Sequence, residues 1–182
     1  MKTSFEFLTK TNFQELKQVL ERNGYEGFKT IEKLTNNNDA PFQKGVYMIL
    51  RDSESEPIFI GCGTGGYYKG KNPNVSISKL SQNWVENSPI LYIGETADTL
   101  NKRLSDCMCF GQGEPVRHWG GRFIWQLKDA QKLVVCWKIL KDKNPKDEKY
   151  YLLKAFKDIY KKLPFANCKS GNKPKTIKIL NL

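Results

Sequence analysis

Gly45-Val46-Tyr47-Met48-Ile49-Leu50 and Ile90-Leu91-Tyr92-Ile93-Gly94 are two runs of β-branched, aromatic and aliphatic residues bounded by turn-formers, and each sets a tyrosine near a glycine. The pattern predicts two strands that pair in one sheet. Thr96 and Asp98 follow as candidate N-caps of a helix running to about Asp106, on which Leu100, Leu104 and Met108 recur at four-residue spacing as an inward stripe. Arg103 lies at the edge of that stripe. An arginine so placed can lay its stem along apolar surface while its guanidinium presents fixed donors to a phosphate. A tyrosine phenol can hold a water, or act as a base where a cation lowers its pKa from about 10.

Working outward, residues 1–40 read as a helical lead-in. Asn12 with Glu15 forms a capping-box pattern, Phe13, Leu16, Val19 and Leu20 share a face, and Asn23-Gly24 stops the helix. Phe28, Ile31 and Leu34 suggest a further short helical turn. Residues 52–89 make a connection far longer than a hairpin needs. Within it, Gly61-x-Gly63-x-x-Gly66 lacks the helix start of a dinucleotide site, and Gly65-x-x-x-x-Gly70-Lys71 continues into Asn72-Pro73 where a P-loop needs a hydroxyl residue and a helix. Two readings stay open for this stretch: a flexible glycine loop, or one in which Tyr67, Tyr68, Lys69 and Lys71 touch nucleic acid by stacking and charge. Ser76–Val85 suggests a short amphipathic helix with Ile77, Leu80, Trp84 and Val85 facing in.

After the loop Phe110–Pro115 comes Arg117-His118-Trp119-Gly120-Gly121-Arg122. Phe123–Leu127 and Leu133–Leu140 suggest extended segments around a turn, the second being a third strand. Asn144-Pro145 then supplies an N-cap and a first-turn proline for a helix whose stripe is Leu152, Phe156, Ile159 and Leu163. Glu148, on the edge of that stripe in the first turn, has a structural explanation in the favourable dipole at a helix N-terminus, as has Asp147 beside it.

Composition limits the function. The 182 residues are 39% hydrophobic, enough for one sizeable core, and the formal charge of +11 with pI about 9.4 favours a polyanionic partner. From residue 141 to 182 there are 12 lysines against 4 acidic residues, so most of the excess lies near the C-terminus, as a backbone-gripping arm would have it. No apolar run approaches the roughly 18 residues of a membrane span, and no signal peptide or basic amphipathic anchor is apparent. The expectation is therefore no membrane partner. Five scattered cysteines fit reduced thiols and a cytoplasmic location, and the lack of any Cys-x-x-Cys pair, with His118 the only histidine, argues against structural zinc.

Two tyrosine strands, an arginine helix, a third strand, a helix with an early glutamate and Leu163-Pro164-Phe165-Ala166-Asn167 together resemble, in order and spacing, the GIY-YIG nuclease family. The resemblance covers about Gly45 to Asn167 and implies an α+β fold with a small three-stranded, mainly antiparallel sheet flanked by helices. It divides the chain into the lead-in 1–40, a nuclease domain 41–168 with insertion 52–89, and a basic tail 169–182. The implied activity is metal-dependent hydrolysis of phosphodiesters in DNA, with RNA left open. The alternative is a nucleic-acid-binding module of the same fold with weak or no catalysis.

In that scheme Tyr47 orients or deprotonates the water and Arg103 faces the phosphate. Glu148 holds one Mg²⁺ or Mn²⁺, Tyr92 and His118 complete the network, and Asn167 braces it through its amide. The run around His118 is similar to members in which a histidine precedes a glycine pair; against this stands a histidine bonded to loop backbone. Lys69, Lys71, Lys102, Arg117 and Arg122 are the expected nucleic-acid contacts. The chain departs from the family pattern at Glu95, where many members have lysine, and at Cys107, where many have tyrosine or histidine. His118 is the residue available to replace the second.

Overall fold

The computed structural model describes residues 5–174; the last part of the basic tail, 175–182, lies outside the described residues. The architecture is α+β: an antiparallel sheet with helices on both faces. Its elements are α1 (Phe13–Arg22), β1 (Glu26–Thr30), α2 (Ile31–Asn36), β2 (Gly45–Leu50), α3 (Ile77–Asn83), β3 (Ile90–Thr96), α4 (Leu100–Gly111), β4 (Val134–Ile139) and α5 (Pro145–Tyr160).

The sheet has four strands, in the order β1-β4-β2-β3, where three were expected. The added edge strand, β1, lies in the segment read as helical, and it takes Phe28 out of the expected helical turn. Its bulge between Glu26 and Lys29, with Gly27 at φ 93° and Phe28 at φ 48°, breaks the alternation that announces a strand. The indole of Trp137 lies where a Cβ on Gly27 would stand, 2.5 Å away, so strand and ring require glycine there. The following helix, α2, starts at Ile31 under a Thr30 cap.

Alternation along β2 sorts the core. Tyr47 and Ile49 join the layer beneath α4, whereas Val46, Met48 and Leu50 join the layer beneath α1 and α5. Asn12 caps α1 by accepting from the N–H groups of Gln14 and Glu15, and Asn144 caps α5 with Pro145 in its first turn, as expected. Thr99, one residue past the expected caps, accepts from Lys102 N–H and starts α4, which continues beyond Asp106 to Gly111. Phe123–Leu127 is not extended: residues 119–126 form 3-10 turns that bury Phe123, Ile124 and Trp125, and Trp125 stacks so closely on α4 that only glycine fits at 111.

The insertion is packed down rather than loose. The Gln126 amide donates to the carbonyls of Ile60, Gly61 and Val75 and accepts from Val75 N–H. Gly66 N–H donates to Phe110 O at 2.8 Å, and a Cβ on Gly66 would fall 1.9 Å from Glu114 O. Ser76 caps α3, whose Leu80 points inward but whose Ile77 is exposed, against expectation.

Candidate active site

Strand pairing sets the tyrosines. Tyr47 lies opposite Gly94, and Tyr92 opposite Ile49, so both phenols emerge on the α4 face with ring centroids 5.9 Å apart. Gly94 is glycine because the Tyr47 ring lies across it: a Cβ there would stand 2.1 Å from Cζ. Arg103 arrives from the second turn of α4. Its Nη1 donates to Arg117 O at 2.9 Å, while its buried Nε has no hydrogen-bond partner among the described residues.

His118 completes the cluster. It is 1% exposed, and its Nε2 lies 3.0 Å from the phenol oxygen of the fully buried Tyr47. The backbone of Gly120-Gly121 folds round it, with room for no more than hydrogen at 121, where a Cβ would meet His118 Cε1 at 2.9 Å. Burial first, then the Arg103 charge, pushes His118 well below the usual imidazole range, so the ring is neutral. Which of Tyr47 Oη and His118 Nε2 donates depends on the imidazole tautomer, and Nδ1 has no partner among the described residues.

Burial raises the pKa of Tyr47 and Tyr92 and outweighs the opposing pull of Arg103, so both are phenols in the resting protein. Cys107, one turn after Arg103, is buried and its thiol is pushed up to about 12, mainly by burial. It supplies no charge, and the imidazole beside the two tyrosines is that of His118, 15 residues past Arg103.

Asn167 braces the edge strand. Ile93 N–H donates to its Oδ1 and its Nδ2 donates to Ile93 O, both at 2.9 Å, and Ala166 N–H donates to Leu91 O beside them. Glu148 is 8% exposed in the first turn of α5. Its Oε2 accepts from Lys143 Nζ at 3.2 Å, and its charge raises the Tyr25 phenol behind burial and Cys136. No hydrogen bond or ion pair among the described residues links Glu148 to the tyrosine cluster. The residue of α5 whose charge reaches the cluster is its neighbour Lys149. This half-buried lysine is lowered mainly by burial, and Arg103 lowers it further against the opposing effect of Glu95. It was not among the sequence candidates, because the apolar stripe of α5 does not say which flank of the helix faces the tyrosines.

Glu148 is the one carboxylate on which the expected divalent ion rests, and its charge acts on Tyr25, not on the tyrosine cluster. Mg²⁺ is commonly held by one or two carboxylates together with substrate phosphates and waters, and the Lys143 ammonium paired with Glu148 sits on a side chain 63% exposed. No cluster of three or more His, Cys, Asp or Glu able to hold a metal occurs among the described residues.

No family model, characterised protein or solved structure matches the chain.

The expected nucleic-acid contacts are spread over loops, the first turn of α4 and the 3-10 turns at 119–126. Arg117, Lys69, Lys71 and Lys102 are exposed, Lys102 being paired with Asp98 at 2.9 Å and Lys69 held at φ 53° beside the Tyr68 ring. Arg122 is committed within the protein: its guanidinium lies 4.8 Å from the ring centroids of both Trp119 and Phe123 and donates to Trp119 O. Among the described residues no helix is long and apolar enough to cross a membrane.

Proposed function

We propose that this chain is a GIY-YIG-type endonuclease that hydrolyses DNA phosphodiesters with one Mg²⁺ or Mn²⁺. The observation that carries the reading is the Tyr47–His118 hydrogen bond, 3.0 Å long and set beside Tyr92 and Arg103. In this reading a water attacks phosphorus as Tyr47 takes its proton and passes its own hydroxyl proton to neutral His118 Nε2. The new P–O bond forms, the bond to the 3′ oxygen breaks, and that oxygen takes a proton from solvent. Arg103 exchanges the Arg117 carbonyl for a phosphate oxygen, neutralising charge that grows in the transition state and opening the way to Tyr47. Glu148 would hold the divalent ion, which supplies further charge neutralisation. Asn167 keeps β3, and hence Tyr92, in place.

The near-complete burial of Tyr47 and His118 favours a second reading, a nucleic-acid-binding module that keeps the cluster as core and does not cleave. Supercoiled plasmid at low salt separates the two. The nuclease nicks it in Mg²⁺ or Mn²⁺, not in EDTA, and loses the activity on Glu148→Ala. Plasmid bound but left intact with every metal tried overturns the catalytic reading in favour of the second.

A further inference from the structure

Phe42 is 76% exposed, more than any other large hydrophobic side chain among the described residues. Its backbone is nonetheless firmly held. Leu100 and Asn101 N–H donate to the carbonyls of Gln43 and Pro41 at 2.8 and 3.0 Å. The Asn101 amide donates to the carbonyls of Asn38 and Ala40, and the Asn38 amide donates back to Asn101 O and Ser105 Oγ. A phenyl ring is thus displayed in water on a loop clamped to the first turn of α4. Arg103 follows Leu100 by three residues, about 4.5 Å along the helix axis, and β2 begins three residues after Phe42.

Phe42 is followed by the exposed Gln43 and the half-buried Lys44. Lys44 follows at two residues, and Leu140 N–H donates to its carbonyl, which brings Lys141 to the same end of the sheet. Lys44 and Lys141 have no ion-pair partner among the described residues, the acids Asp39 and Asp98 are each held by a lysine, and Asp142, next to Lys141, is also without one. A lone flat ring among free ammonium groups suits a partner with π faces between negative charges better than a protein interface, which needs a broad contiguous face. Because the loop is already ordered, stacking on it sacrifices little entropy.

We propose that Phe42 is a base-stacking residue, and that the preferred substrate is DNA with an unpaired base beside the phosphate held at Arg103. This rests on the nuclease reading for the position of that phosphate. In continuous duplex both faces of each base are covered, so the ring finds a free face only where a base is unpaired or a step is opened.

The test is equilibrium binding, in EDTA at low salt, of two oligonucleotide duplexes that differ by one bulged base. Wild type, Phe42→Ala and Phe42→Trp are compared after thermal melts establish equal folding. The expected result is tighter binding of the bulged duplex by wild type and Phe42→Trp. Phe42→Ala should lose that preference, with bulged-duplex affinity falling on the order of 10-fold and continuous-duplex affinity unchanged. A preference kept in full by Phe42→Ala, or equal binding of both duplexes by wild type, overturns the proposal alone. Failure of wild type to bind either duplex overturns the DNA reading on which it rests.

Discussion

Tyr47 and His118 are separated by 71 residues in sequence and joined by one buried hydrogen bond, so a double-mutant cycle isolates what that bond contributes. Tyr47→Phe removes one oxygen, keeps the ring over Gly94, and leaves His118 Nε2 unpaired in a site where Nδ1 already has no partner. An orphaned buried polar group costs about 1–3 kcal/mol. His118→Leu orphans the Tyr47 hydroxyl at a similar cost and also disturbs contacts with the Tyr92 and Phe110 rings. The double variant removes both polar groups and so carries neither orphan cost of about 1–3 kcal/mol; it should be more stable than the sum of the single losses by about 2–6 kcal/mol. Urea unfolding at about pH 8, where imidazole is neutral in both states, reads the cycle. With a urea slope of about 2 kcal/mol/M, each single variant lowers the midpoint by roughly 0.5–1.5 M. Losses that add to within about 0.5 kcal/mol would refute the bond and the proton path built on it.

The single histidine makes the pH dependence readable. His118 titrates lower in the folded chain than in the unfolded one, so the unfolded state takes the proton first; stability should fall as pH drops below about 6.5, by at most ~1.4 kcal/mol per pH unit. Melting curves between about pH 7.5 and 5.5 should show that slope in wild type and a flat profile in His118→Leu; equal slopes would contradict the assignment. Gly94→Ala drives a methyl into the Tyr47 ring, which His118 and Tyr92 hem in, and should cost at least the upper part of the ~1–3 kcal/mol range for overpacking. A variant as stable as wild type would mean that the ring does not lie over Gly94. Asn167→Ala leaves the N–H and C=O of Ile93 without side-chain partners on the outer side of an edge strand, an expected loss of about 2–4 kcal/mol with faster amide exchange at Ile93. Unchanged exchange there would show that the brace is not formed.

Strong periodicity explains what could be read from sequence. The continuous apolar runs of β2, β3 and β4 bury both faces of the sheet, and the capped stripes of α1, α4 and α5 each leave one face to bury. β1 was hidden by its bulge and two left-handed residues, and the turns at 119–126 by an aromatic run that would suit a strand equally well. At the site, the motif positions do bring Tyr47, Tyr92, Arg103 and His118 together. Their partners were not legible, because a hydrogen bond between a strand and a loop leaves no spacing signal. Glu148 and Lys149 show the same limit: adjacent helical residues point about 100° apart, and only the packing of α5 decides which of them the Arg103 cluster feels. Gly94 was readable as part of a motif, yet the reason for it, the Tyr47 ring, came from strand register.

The most direct test of the account is the rate at which supercoiled plasmid is nicked in Mg²⁺ at low salt by wild type beside Arg103→Ala, with matched melting curves and matched plasmid binding. Arg103 is the half-buried member of a cluster whose other side chains are almost wholly enclosed, and in the proposed mechanism it is the cluster's charge that would face the phosphate. Nicking by wild type that falls by about 10²–10³ in Arg103→Ala is the predicted result. Nicking that persists undiminished without the guanidinium would contradict it.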